Sequence, residues 1–162
     1  MTDLRAVGLQ AKVLTVSDGV VHGTRDDRSG IALVERLEAD GYEVVCHWVV
    51  ADGVDNVAVA LRDLCVGFAG LVVTTGGTGF APRDLTPEGT RQVIDREAPG
   101  LAEAMRLVSP LGRLSRGVAG IHDRALVLNT PGSPAGCVEQ LEAVLDVLPH
   151  ALRLLAEQPT KH

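Results

Sequence analysis

Leu71-Val72-Val73-Thr74-Thr75-Gly76-Gly77-Thr78-Gly79-Phe80-Ala81-Pro82-Arg83-Asp84-Leu85-Thr86-Pro87-Glu88 is the stretch whose reading decides the fold. Its first five residues form a short apolar run of the kind that makes a buried strand. Three glycines in the next four positions let the backbone adopt positive φ and leave its N–H groups bare of side chains. Thr86 can then cap a helix, with Pro87 preorganised for the first turn. A strand that runs through glycines into a helix is the repeating unit of a parallel α/β sheet, whose working loops lie at the carboxyl ends of the strands.

The same alternation continues on both sides. Upstream, Lys12 to Ser17 reads as a strand, Asp18 to Gly30 as a long loop, and Ile31, Leu33, Val34 and Leu37 as a helical stripe with Ser29 as N-cap and Gly41 as stop. Glu43 to Val50 is a second strand, followed by a helix capped by Asp55 or Asn56 and running through Phe68. Downstream, the helix from Thr86 is predicted to reach about Glu97, where Pro99 breaks it, and another runs from Leu101 towards Val108. Val118 to Asn129 reads as a hairpin turning near His122 and Asp123, and one or two helices from Val138 to Ala156, interrupted near Pro149, close the chain. No linker or repeat divides the sequence, so residues 1–162 read as one domain with its core at about 11–156.

Composition agrees with a sheet covered by helices. Only 2 % of the residues are aromatic while 46 % are hydrophobic, so the core must be aliphatic, as suits a parallel sheet. A net charge of -6 argues against sequence-independent nucleic-acid binding, which needs clustered Lys and Arg. Neither a basic-then-apolar leader nor an apolar run of about 18 residues is present, so a cytoplasmic protein without membrane contact is expected. Cys46, Cys65 and Cys137 lie far apart and read as reduced core residues. His22, His47, His122, His150 and His162 lack zinc-ligand spacing, and Trp48 reads as core or subunit-interface packing.

The chemistry concentrates at the strand ends. The glycine loop is neither a Walker A loop nor a dinucleotide fingerprint, and a ligand-free turn is its plain alternative. Thr74, Thr75 and Thr78 add hydroxyls, Arg83 could pair with a phosphate, and Asp84 lies where a metal riding on that phosphate would sit. Asp52, just beyond the second strand, should converge with Asp84 at one sheet edge, although Ala51-Asp52-Gly53 is also ordinary turn sequence. Two convergent carboxylates commonly hold Mg2+ against a polyphosphate. Pro131-Gly132-Ser133-Pro134 offers a second strand-to-helix loop. Ser17-Asp18 and Asp27-Arg28-Ser29-Gly30 stay open between turn and site.

Taken together, Leu14-Thr15-Val16-Ser17-Asp18, Asp27 to Gly30, Thr74 to Glu88, Arg96-Glu97-Ala98-Pro99-Gly100, Leu114-Ser115-Arg116, Ala119-Gly120-Ile121 and Asn129 with Pro131-Gly132-Ser133 resemble the MogA/MoaB family and the related G domains of gephyrin. The resemblance spans about Ala11 to Leu155. It implies a three-layer α/β/α sandwich with a mostly parallel central sheet, usually trimeric. It also implies Mg2+-dependent transfer of AMP from ATP to molybdopterin, giving adenylyl-molybdopterin and pyrophosphate, upstream of a molybdate-insertion enzyme. The family's catalytic aspartates match Asp52 and Asp84, here assigned as the Mg2+ ligands. Substrate and nucleotide contacts are expected from Ser17, Gly76, Gly77, Thr78, Gly79, Ser115, Arg116, Pro131, Gly132 and Ser133. Ser115 matches a serine associated with the pterin. Gly53 stands where relatives often carry an acid, Ala135 where many carry a polar residue, and the segment between Met105 and Leu114 is shorter, so Ser109 receives no role. The alternative within the same family is a non-catalytic MoaB-type molybdopterin-binding protein.

Overall fold

The computed structural model of the chain describes residues 6–158, so His162 lies outside the described residues. Six strands, β1 (Gln10–Val16), β2 (Glu43–Val50), β3 (Gly70–Thr75), β4 (Arg96–Glu97), β5 (Ala119–His122) and β6 (Ala125–Thr130), form one sheet in the order β2-β1-β3-β6-β5-β4. The pairs β1/β2, β1/β3 and β3/β6 are parallel, while β5 runs antiparallel to both β6 and β4. Every residue of β3 and β6 is buried, as expected of central strands covered on both faces.

Alternation along the strands sorts the core into two halves. Val13, Leu71, Val73, Leu126 and Leu128 pack under α2 (Arg28–Ala39), α5 (Pro99–Arg106), α6 (Pro134–Glu142) and α7 (Leu148–Leu155). Leu14, Val16, Val72, Ala125 and Val127 face the other way, against Val57, Leu61 and Leu64 of α3 (Val54–Cys65). The three-layer α/β/α sandwich expected from the sequence is therefore the observed architecture. The chain moves outward from β1 to β2 and then returns to β3 on the other side of β1. That reversal opens a crevice at the carboxyl ends of β1 and β3, the general place for ligands in such sheets.

Several boundaries differ from the sequence reading. The loop after β1 contains a short helix, α1 (Asp18–Val21). Helix α2 is capped by Asp27, whose side chain accepts from the Gly30 N–H, rather than by Ser29. The helix opening at Thr86, α4 (Thr86–Arg91), stops well short of Glu97. Arg96 and Glu97 instead pair with Ile121 and Gly120 to form the edge strand β4, and Pro99 starts α5 rather than merely ending its predecessor. Helix α3 ends at Cys65, before Phe68. Helix α6 begins at Pro134, ahead of Val138, and Pro149 sits in the first turn of α7, so the interruption lies before it. The hairpin turns at Asp123, which takes a positive φ of 52°.

Trp48 lies on the edge strand β2 and is 41 % exposed, which removes the core reading and leaves the interface one. Cys65 and Cys137 are buried, and burial pushes both thiols up to about 11; Cys46 is only half-buried. No helix among the described residues is long and apolar enough to cross a membrane.

Candidate active site

A cavity of about 880 Å3 occupies the crevice, with walls from the ends of β1 (Thr15, Val16, Ser17), β3 (Thr75) and the loop after β6 (Pro131, Gly132, Ser133). The glycine loop enters it as residues 76 to 79, and Asp52, Asp84, Ser109 and Ser115 also line it.

Glycine is required at two of these positions. Gly76 has φ +99°, and a Cβ there would lie 2.2 Å from the Val16 carbonyl oxygen. Gly77 has φ +69°, and its Cβ would lie 2.2 Å from Thr86 Oγ1 and 3.2 Å from Asp52 Oδ1. Gly79 has no positive φ, but its Cβ would come within 2.9 Å of Asp84 Oδ2. The two carboxylates thus flank one loop, Asp52 against Gly77 and Asp84 against Gly79, as the strand-end argument expected.

Beneath the loop lies a closed polar network. The Asn129 amide donates to Thr74 Oγ1 and Thr90 Oγ1, both at 3.0 Å, and its oxygen accepts the Val118 N–H. Thr75 Oγ1 donates to the Pro131 carbonyl at 2.8 Å, and Thr86 Oγ1 to the Gly76 carbonyl at 2.9 Å. The Gly76 N–H donates to the Thr130 carbonyl at 3.1 Å, so Gly76 shapes the loop rather than offering it a donor. The Thr74 and Thr75 hydroxyls, suggested by the sequence as ligand donors, are likewise committed to holding strand and loop together. Arg116 braces the loop from the other side: its guanidinium donates to the carbonyls of Gly79 and Asp84 and pairs with Glu88 at 2.7 Å. That pair holds the Glu88 carboxyl below its ordinary range. Arg116 does not line the main cavity, whereas Ser115 beside it does. Ser115 Oγ accepts from the Gly117 N–H at 3.2 Å, Ser17 Oγ from Val20 at 3.2 Å and Ser133 Oγ from Gly136 at 2.9 Å.

The acidic side of the site contains a residue whose role the sequence left open. Asp18 and Asp52 exchange bonds: the Asp18 N–H donates to Asp52 Oδ2 at 2.9 Å and the Asp52 N–H to Asp18 Oδ1 at 3.1 Å. Arg83, expected to reach for phosphate, forks onto Asp18 at 2.6 and 3.0 Å and also donates to the Asp52 carbonyl. Hydrogen bonding to Arg83 lowers the Asp18 carboxyl below its ordinary value. Asp52 moves the other way. Burial raises it first, and the charges of Asp18 and Asp84 push in the same direction, against the Asp18 N–H bond and Arg83. A second network, in which Asp27 accepts Thr15 Oγ1 at 3.0 Å and approaches His47 Nε2 at 2.8 Å, pins the start of α2, whose Arg28 and Ser29 line the cavity.

Fold and site define a class: three-layer α/β domains with a glycine loop and paired carboxylates at the switch point of the sheet. Within it the chain belongs to the family described as "Probable molybdopterin binding domain", which matches residues 12–150. The molybdopterin adenylyltransferase of Escherichia coli K12 is 52 % identical over 149 residues, covering 85 % of this chain and 74 % of that protein. The molybdopterin adenylyltransferase of Helicobacter pylori J99 is 41 % identical over 150 residues, covering 88 % and 85 %. Among solved structures, the molybdopterin biosynthesis enzyme MoaB of Thermus thermophilus superposes with a TM-score of 0.88 at 48 % identity, over 94 % of this chain and 99 % of that one.

Proposed function

We propose that the protein works in molybdenum cofactor biosynthesis as a molybdopterin adenylyltransferase, moving AMP from ATP to the phosphate of molybdopterin with release of pyrophosphate. The observation that carries this reading is the pair Asp52 and Asp84 on either side of the glycine loop, with Asp52 raised in proton affinity by burial and like charge. Burial and like charge disfavour the ionised form of that carboxylate more than Arg83 favours it, a cation would relieve this, and Mg2+ suits the oxygen donors present. Among the described residues no three or more His, Cys, Asp or Glu side chains gather as a metal cage. Mg2+ commonly binds through one or two carboxylates plus substrate phosphates, keeping several waters. Asp52 and Asp84 would hold it, and when bound it supplies charge that screens the repulsion between two polyanionic reactants.

The molybdopterin phosphate oxygen would bond to the α-phosphorus of ATP as the bond to the β-phosphate oxygen breaks. Such a displacement depends on positioning and charge neutralisation more than on covalent help. The N–H groups of Gly77, Thr78 and Gly79 are the donors for phosphate. Ser17 and the loop Pro131-Gly132-Ser133 form the opposite wall, and Ser115 serves the pterin side. Arg116 acts through the loop it braces. The family relationship further supports a trimer acting in the cytoplasm and passing its product to a molybdate-insertion enzyme.

The test is production of adenylyl-molybdopterin and pyrophosphate from ATP at saturating Mg2+, with pterin affinity measured in parallel. Asp84→Asn and Asp52→Asn should each lower turnover about a hundredfold or more while molybdopterin binding persists, and the double variant should be little worse than either. Full turnover in both single variants refutes the two-carboxylate mechanism. No turnover in the parent, with pterin bound, makes the chain a binding protein.

A further inference from the structure

Gln140 stands on α6, seven residues beyond the Ser133 cap. It is 6 % exposed and lines the main cavity. Its carboxamide makes no hydrogen bond to any described residue, and neither of its polar atoms is among the sealed, unpartnered ones, which are Asp40 Oδ2 and Tyr42 Oη. The group therefore opens onto the cavity. A carboxamide brings two donors and an acceptor, and native proteins rarely bury such a group without a partner.

Its surroundings indicate what the partner is. The first turns of α2 and α6 close together here, with Cys137 Sγ 3.6 Å from the Ser29 carbonyl oxygen, and Ser29 and Gly136 both line the cavity. The cap of α6 adjoins the glycine loop: a Cβ on Gly132 would lie 3.4 Å from Gly76 Cα. At about 1.5 Å of rise per residue, Gln140 sits on the order of 10 Å along the helix from that phosphate-ready end. A phosphate ester anchored at the loops would carry its ring to about that distance.

We propose that Gln140 is a specificity-determining residue whose carboxamide hydrogen-bonds the donor–acceptor edge of a substrate heterocycle. Adenine and the pterin ring both present such an edge, and the choice of these two ligands rests on the reaction proposed above. The test uses the full chain with Gln140→Met, which keeps length and volume, and Gln140→Glu, which keeps shape and acceptor but loses the donors. Dissociation constants for ATP, molybdopterin and inorganic tripolyphosphate are measured by calorimetry. Gln140→Met should bind one heterocyclic ligand about ten- to a hundredfold more weakly, leaving the other and tripolyphosphate unchanged, while Gln140→Glu, which also brings a negative charge, should lose that same ligand by more than it loses tripolyphosphate. Loss confined to ATP assigns the subsite to adenine, and loss confined to molybdopterin assigns it to the pterin. Unchanged affinity for both ligands, or an equal loss for all three, overturns the proposal. A parent that binds both ligands but does not turn over would sink adenylylation while leaving this differential binding measurable.

Discussion

Replacing Gly77 by Ala should destabilise the fold as well as slow the reaction, whereas Gly79→Ala should slow the reaction alone. At Gly77 the cost has two parts. Placing an L-residue at φ +69° costs about 1–2 kcal/mol. The new Cβ would also lie 2.2 Å from Thr86 Oγ1 and 3.2 Å from Thr86 Cβ. Thr86 is fully buried, and its hydroxyl is tied to the Gly76 carbonyl at 2.9 Å. It cannot yield without breaking that bond, which adds about 1–2 kcal/mol. The sum of about 2–4 kcal/mol corresponds to a fall in Tm of roughly 4–16 °C for a chain of this size. At Gly79 the φ is ordinary and the close neighbour is the far end of the Asp84 side chain, which can swing away. The carboxylate then leaves its bond from the Ala81 N–H at 3.0 Å, so the penalty falls on the site. Circular-dichroism melts and pyrophosphate release measured on both variants separate the two effects. A parental Tm for Gly77→Ala, or an equal drop for Gly79→Ala, would refute the reasoning.

Two further outcomes follow from the structure. If Asp52 must be ionised to hold a cation, as proposed above, kcat/KM should fall on acidification at a higher pH than an ordinary aspartate would give, because that profile reports the free enzyme, and Asp18→Asn, by removing a like charge, should move that limb to lower pH. The native state binds the Asp52 proton more tightly than the unfolded chain, so its stabilising contribution is present at low pH and lost as pH rises through the folded value; Asp52→Asn should therefore melt no lower than the parent at neutral pH. Light scattering at micromolar concentration should report three times the chain mass, with the edge strand β2, where Val45, Trp48 and Val49 are exposed, as the place to probe by Trp48→Lys. A monomer would refute the trimer.

The central strands β1, β3 and β6, and β2 at the edge, were legible because each carries a short apolar run that ends where polar or glycine-rich sequence begins. β4 was not, because it has two exposed residues, Arg96 and Glu97, and exists through its pairing with β5. Nothing local distinguishes them from the tail of the preceding helix. The cap of α2 shows the same limit. Asp27 and Ser29 are both good caps, and the choice falls to Asp27, whose carboxylate also receives Thr15 from β1 and approaches His47 on β2. Those contacts reach across to other strands and leave no periodic trace in the sequence.

At the site, sequence reasoning brought Asp52 and Asp84 together because topology alone delivers strand ends to one edge. It could not decide which polar groups there are free. Thr74 lies opposite Asn129 in the β3/β6 register, which consumes its hydroxyl, while Gln140, which no motif marks, has a carboxamide without a hydrogen-bond partner among the described residues. Charge pairing was the least legible feature. Arg83 beside a glycine loop reads as a phosphate ligand, but it is bound to Asp18, 65 residues away. With Asp18, Asp52 and Asp84 on one side of the loop and Arg83 set among them, carboxylates outnumber the cation there, while Arg116 on the other side is already paired with Glu88. Such a site repels a polyphosphate arriving alone and favours one that arrives with a divalent cation. Freeing Asp18 and Asp52 of Arg83 would deepen that dependence, because the same carboxylates would then carry one more uncompensated charge.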